Sequence, residues 1–203
     1  MSKEKGIEIH INSHFAIGVI FASILHHFFD FTLLEFLIII VASFVCDLDI
    51  FFSKYAKDRN HRNLITHSII PSIFIIVLGI FFGWMALIIS GIAYFIHIFV
   101  DLFDWGTNFF YFPRKTYGPR FLIRKEEENL QEYLAKYKNP HSFFDFKYYN
   151  SKVNVSIEVS LFVFMIIVIF IFAIEYFLIS FFYFLGLYFH LSRHFNLKRI
   201  ESK

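Results

Sequence analysis

The sequence is poor in residues that cross-link or punctuate soluble folds. It has one cysteine, Cys46, which excludes an internal disulfide framework and a cysteine-built zinc knuckle. A metal site would have to draw on His, Asp and Glu. Only four prolines and eight glycines occur in 203 residues. They form no Pro-rich or Gly/Ser-rich linker, and no internal repeat is evident. Charge is also scarce, at 18% of residues with a net of +2, so nothing points to nucleic-acid binding through bulk charge. The opening MSKEKGIEIH is polar and lacks a cleavable signal pattern.

What is abundant is apolar. Hydrophobic residues make up 57% of the chain, with 32 phenylalanines, a share few soluble domains reach. A spanning helix needs about 20 apolar residues. Apolar stretches recur at 15–29, 33–52, 69–83, 84–103 and 157–191. This is the pattern of an all-α, polytopic integral membrane bundle of about six helices. Thr32 and Glu35 have capping-box spacing, so a second helix should start near Leu33. Pro71 suits the first turn of a third helix, and Gly79, Gly83 and Trp84 mark the turn to a fourth. The stretch 157–191 is long for one span, with Glu175 near its middle. It reads as a hairpin turning near Glu175–Tyr176, with a single long helix as the alternative.

Three regions follow. Residues 1–104 form a four-helix membrane core with a polar His/Asp cluster. Residues 105–156 form an extramembrane loop that contains a polar helix over 124–138. Residues 157–203 form the C-terminal hairpin, or single helix, and a basic tail. Let the near face be the side of the N-terminus. Lys3, Lys5, Lys54, Lys57, Arg59, Arg62, the loop from Arg114 to Lys152 and the tail with Arg193, Lys198, Arg199 and Lys203 all fall on it. The far-face connections carry Asp30 and Glu35 and no Lys or Arg. By the positive-inside rule the near face is cytoplasmic, and the chain is a multi-pass plasma-membrane protein.

The candidate chemistry lies at that face. His14 opens the first helix, Asp47 and Asp49 end the second, His61, Arg62 and His67 precede or begin the third, and His97 and Asp101 end the fourth. His97 and Asp101 are four apart, on one helix face. Asp47 and Asp49 diverge by about 200° on a regular α-helix, so both can face one site only if the helix frays. Carboxylates near the bilayer are costly unless paired or ligating. A lone interfacial His is usually solvated or capping, HxxxD recurs by chance, and DLD can be simple anchoring. Their convergence on one face favours a shared metal site of His14, Asp47, Asp49, His67, His97 and Asp101. Imidazole with carboxylate suits Zn²⁺, with Mn²⁺ or Fe²⁺ compatible. Six ligands suffice for two ions.

His26 and Asp30 also make HxxxD, but on the far face with no ligand cluster opposite, so they read as interfacial. His10 reads as tail, His141 as loop surface, and His190 and His194 as interfacial. Cys46 reads as an inert buried thiol rather than a soft ligand. Glu175 is a turn residue or a buried partner of an unidentified group.

SHFAIG (13–18), DLD (47–49), HRNLITHS (61–68) and HIFVDLFDWGTNFFYFP (97–113) together resemble the YdjM family of inner-membrane, metal-dependent hydrolases. The matching pieces span residues 13–113. Cys46 stands where the family pattern has proline, and Asp104 and Trp105 where it is less polar. The C-terminal third carries no matching motif. The resemblance implies metal-assisted hydrolysis. In that reading Arg62 steadies a phosphate or carboxylate of the substrate, and His61 acts as acid or base. A site at the interface favours a lipid or lipid-linked phosphoester. Two competing readings remain: a metal-ion or proton-coupled transporter, and a non-enzymatic membrane adaptor with a structural metal. Transporters hold ions near the midplane, often between repeats, whereas these ligands sit at one end.

Overall fold

A computed structural model describes residues 11–56, 60–112, 116–120, 126 and 129–203. The His10 tail and most of 121–128, where the expected loop helix would begin, lie outside the described residues, as does the Asp104 side chain. The described chain is helical, with no strand and one isolated antiparallel bridge between Thr107 and Tyr117.

Helix α1 runs Ile11–Phe29 and α2 runs Leu33–Ala42. Between them Asp30 adopts a left-handed backbone at φ 50°, which reverses the chain. The capping box forms: Thr32 N donates to Glu35 Oε2 at 2.9 Å, and Glu35 N donates to Thr32 Oγ1 at 3.4 Å. Together they satisfy backbone donors that lipid could not. Trp84 Nε1 also donates to Glu35 Oε1, at 2.7 Å, which ties the far-face turns together.

After α2 the chain bends by 42° into a 3₁₀ helix, Val45–Tyr55. Two short 3₁₀ turns follow, His61–Asn63 and Ile65–His67. Helix α3, Ile69–Phe82, starts on a Ser68 cap with Pro71 in its first turn. It ends at Gly83, whose φ of 61° suits glycine. Helix α4, Met85–Asp104, packs back along α3. Gly79 and Gly91 allow the approach, since a Cβ on either would come within 2.7 Å of Ile88 or Ile76.

Helices α5 (Leu130–Ala135) and α6 (Pro140–Tyr149) form a small unit packed on Trp105. Of the polar helix expected over 124–138, the described part is helical only at α5. Helix α6, unforeseen in the sequence, is set by Asn139 as N-cap and Pro140 in the first turn. Helix α7 (Lys152–Phe172) and helix α8 (Phe181–Ser202) are joined by a 3₁₀ turn, Ile174–Ser180. Phe162 meets Tyr183 and Phe170 meets Phe177, so the two helices fold back as a hairpin. The hairpin closes against α1, and the end of α8 returns to the start of α6, where Lys138 N donates to Glu201 Oε2 at 3.0 Å.

Among the described residues, four helices, α1, α4, α7 and the one ending at Ser202, are long and apolar enough to span. The bent pair α2 plus 45–55 makes a fifth. The remaining expected crossing, α3, has 14 residues and is shorter than these, although it runs from the near-face turns to the far-face turn at Trp84. The chain before it, 61–67, is spent on 3₁₀ turns rather than on helix. Phe81, Phe164, Ile171 and Phe189 point outward, as lipid-facing side chains do.

Candidate metal centre

Helix α1, the 3₁₀ helix 45–55, the two short 3₁₀ turns and α4 bring polar side chains to one buried point at the near face. Asp47, His67, His97 and Asp101 each offer a ligand atom, all within 4.8 Å of one another. His67 Nε2 lies 3.5 Å from Asp47 Oδ1 and 3.5 Å from Asp101 Oδ2. His97 Nε2 lies 3.5 Å from the same two oxygens. These atoms have no hydrogen-bond partner among the described residues, and all four side chains are within 1% of full burial. Donors about 2.0–2.2 Å from a zinc ion at tetrahedral angles stand about 3.3–3.6 Å apart. The spacing is long for hydrogen bonds and right for sharing a cation.

The opposite nitrogens of both imidazoles are engaged. His97 Nδ1 donates to the Ser43 carbonyl at 2.8 Å, and His67 Nδ1 donates to Asp49 Oδ2 at 2.9 Å. Each bond puts the proton on Nδ1 and leaves the Nε2 lone pair facing the centre. Asp49 therefore stands one step back, where it also accepts from the Thr66 hydroxyl. Asp47 and Asp49 can both turn inward because 45–55 is a 3₁₀ helix, with Leu48 between them 43% exposed. Three units per turn set the pair about 120° apart, against about 160° on an α-helix.

Other expected residues crowd the same place. His14 Nε2 is 3.4 Å from Asp101 Oδ1, and its ring centroid lies 3.7 Å from that of His97. Arg62 Nη1 pairs with Asp101 Oδ1 at 3.1 Å. Arg62 is 2% exposed and His61 0%, so neither stands in the aqueous phase. The His61 ring lies 4.8 Å from that of His67, and neither of its nitrogens has a hydrogen-bond partner among the described residues. Burial, followed by the neighbouring positive His67 and Arg62, drives the His61 pKa well down. For His67, burial acts downward, but the Asp47 and Asp49 carboxylates outweigh it and raise the pKa.

Charge sharpens the case. Among the described residues, Asp47, Asp49 and Asp101 are buried with one permanent cation, Arg62, leaving two negative charges. Buried charge is sustained only when compensated. Protonation of His67 and His97 would do it, and so would one divalent cation. The cluster could hold a metal ion, and a metal would release the proton that the carboxylates otherwise keep on His67.

Several supports were not among the sequence candidates. Ser43, besides its carbonyl, donates its hydroxyl to the His14 carbonyl at 3.0 Å. Gly18 makes that contact possible, since a Cβ there would lie 2.1 Å from Ser43 Oγ. Thr107 Oγ1 donates to the His67 carbonyl at 2.6 Å, and Asn108 N to the Arg62 carbonyl at 3.1 Å. Tyr94 donates its hydroxyl to the Thr66 carbonyl. The strip 105–109 thus straps the two 3₁₀ turns onto α4. The glycine of SHFAIG and the WGTN run beside Asp101 were the sequence signals for these roles.

A family profile described as YdjM inner membrane protein matches residues 9–178. The chain belongs to the YdjM family. The match runs well past residue 113, so it takes in the α5–α6 unit and α7 as well. It also makes this an inner-membrane protein family by description, in keeping with the apolar helices. No curated protein and no solved structure matches the chain.

Outside the cluster, the other histidines found partners that the sequence did not name. His26 is buried, and its Nε2 donates to Glu175 Oε1 at 2.6 Å. This supplies the missing partner for Glu175. His194, expected to be interfacial, is buried against Asp145, to which its Nδ1 donates. Cys46 is buried beside Tyr94 and Ile98. His141 sits in the first turn of α6, half-buried.

Proposed function

We propose that this YdjM protein is a membrane-embedded, metal-dependent hydrolase whose site lies at the cytoplasmic face and takes a lipid or lipid-linked phosphoester. The observation that carries the reading is the set of four unpartnered donor atoms, each imidazole nitrogen 3.5 Å from both carboxylate oxygens, with the imidazoles oriented from behind. Asp47, His67, His97 and Asp101 would hold the ion, and two carboxylates with two imidazoles suit zinc best, with manganese or iron as substitutes. A divalent cation supplies Lewis-acid chemistry toward a phosphoryl or carbonyl oxygen. Asp49 fixes the tautomer and angle of His67, and His14 packs against His97 to complete the wall.

Arg62 is held by Asp101, and its fork has further donors for an anionic group of the substrate. Burial and the neighbouring positive groups keep His61 neutral, so in this reading its unprotonated ring would act as the base, a weaker one than a free imidazole. The basic residues shared by the near-face loop and tail support a cytoplasmic orientation.

A second reading has an observation of its own. All four donors are buried, as in closed structural zinc sites. Against it stand the extra groups His14, His61 and Arg62, which a four-coordinate structural site does not need.

The test is to purify the full chain in detergent, measure metal per chain, and assay phosphoester and lipid hydrolysis beside His67→Ala and Asp101→Ala. Bound metal with hydrolysis that both variants lose supports the enzyme. Bound metal without hydrolysis supports the structural reading, or transport if liposomes then show ion flux. A folded wild type without metal overturns the enzymatic and structural readings together.

A further inference from the structure

A groove of about 530 Å³ lies between α2 and α8 and is floored by α1. That volume is in the range of small-molecule sites. Leu37, Ile40, Ile179 and Phe182 line its inner part, and Phe15, Val41, Phe44 and Leu185 line the rest. Its polar residues gather toward the near-face end. Asn12 opens α1 there, and His190 and Arg193 lie in the middle turns of α8, beyond Gly186. Asn12 is 2% exposed, and its Nδ2 has no hydrogen-bond partner among the described residues. A buried amide N–H is stabilised by an acceptor, and a ligand oxygen in this groove would supply one. Gly186 leaves the room, since a Cβ there would lie 2.1 Å from Asn12 Oδ1.

The groove thus runs from cationic and amide groups at the membrane surface to hydrocarbon side chains toward the membrane centre. A lipid of the near-face leaflet has the same sequence of groups: phosphate, ester, then acyl chain. We propose that the groove holds one acyl chain of an anionic glycerophospholipid. Asn12 Nδ2 donates to its ester oxygen, and its phosphate lies at Arg193 and His190. Phe15 and Phe44 turn to this groove while their neighbours His14 and Ser43 turn to the metal cluster. The lipid site therefore does not rest on the hydrolase reading.

The test uses the full chain in vesicles of mixed phosphatidylglycerol and phosphatidylcholine, each tried as a probe with a photoreactive diazirine in one acyl chain. Adducts are mapped by mass spectrometry. The expected result is labelling concentrated on Phe15, Val41 and Leu185, with the anionic probe favoured about fivefold, as one basic side chain at a membrane surface provides. Arg193→Gln should level the two probes and Arg193→Lys should keep the preference. Val41→Trp fills the groove from a position 43% exposed, so it should remove the groove adducts while leaving the melting temperature unchanged. Equal yields from both probes in the wild type would overturn the proposal. So would labelling as dense along the outward face of α7, or a Val41→Trp variant labelled like the wild type. Cross-links between two chains through these residues would put a second copy in the groove and overturn it equally.

Discussion

His97–Asp101 and His26–Asp30 share the same HxxxD spacing but meet different surroundings. The first pair lies inside α4, so both side chains face the near-face cluster and meet at 3.5 Å, buried. The second pair straddles the end of α1. Asp30 has left the helix at φ 50° and is exposed, so His26 turns instead to Glu175 on the hairpin. Spacing on a helix places two groups together only while the helix continues through both. The surroundings differ as well. The near-face pair has Arg62, His14, His67 and Asp47 around it, whereas at the far face His26 has only the half-exposed Glu175 carboxylate and aromatic rings around it among the described residues.

That contrast can be broken most forcefully at Asp101. Asp101→Ala removes a donor and leaves Arg62 buried without its carboxylate, which should cost about 3–5 kcal/mol. Thermal melting and metal content should fall together, and Asp101→Asn should separate lost charge from lost packing. Asp49→Asn should act at one remove. Metal affinity should drop about 10–100-fold through a loosened His67, measured by competition with a chelator, while the fold persists. Gly18→Ala drives a methyl into Ser43 and should cost about 1–3 kcal/mol of stability, read as a lowered melting temperature. Glu175→Gln at the other face should cost less than about 1 kcal/mol and leave metal content unchanged, because its carboxylate is half in solvent.

The pH dependence follows from His67. Its pKa is raised in the fold, so without metal its ion pairs contribute stability below the ordinary histidine value and lose it as pH rises through the raised value. A bound cation replaces that proton. The melting-temperature gap between metal-loaded and chelated protein should therefore widen from about pH 6 to about pH 9, and metal affinity should weaken as pH falls. A gap that narrows with rising pH would contradict this.

Much of this was legible in the sequence because it depends on local pattern. Apolar runs gave the helices, Thr32–Glu35 the capping box, Gly83 the turn, and the HxxxD spacing the shared face of His97 and Asp101. The hairpin near Glu175 was legible from length alone, though neither glycine nor proline marks it. What could not be read depended on distant contacts. Nothing local ties His26 to Glu175, 149 residues away, or His194 to Asp145. The burial of His61 and Arg62 follows from the 105–109 strap, whose residues reach them only after α3 and α4 have doubled back. The shortness of α3 has the same origin: residues that could have extended the helix hold the site instead.

The central claim is that Asp47, His67, His97 and Asp101 hold a cation that balances the buried carboxylates. Metal analysis of the purified full chain tests it most directly, with Asp101→Asn and Glu175→Gln measured alongside. About one divalent cation per chain is expected in the wild type and in Glu175→Gln, and almost none in Asp101→Asn. A folded wild type carrying no cation, or an Asp101→Asn variant carrying as much as the wild type, would contradict it.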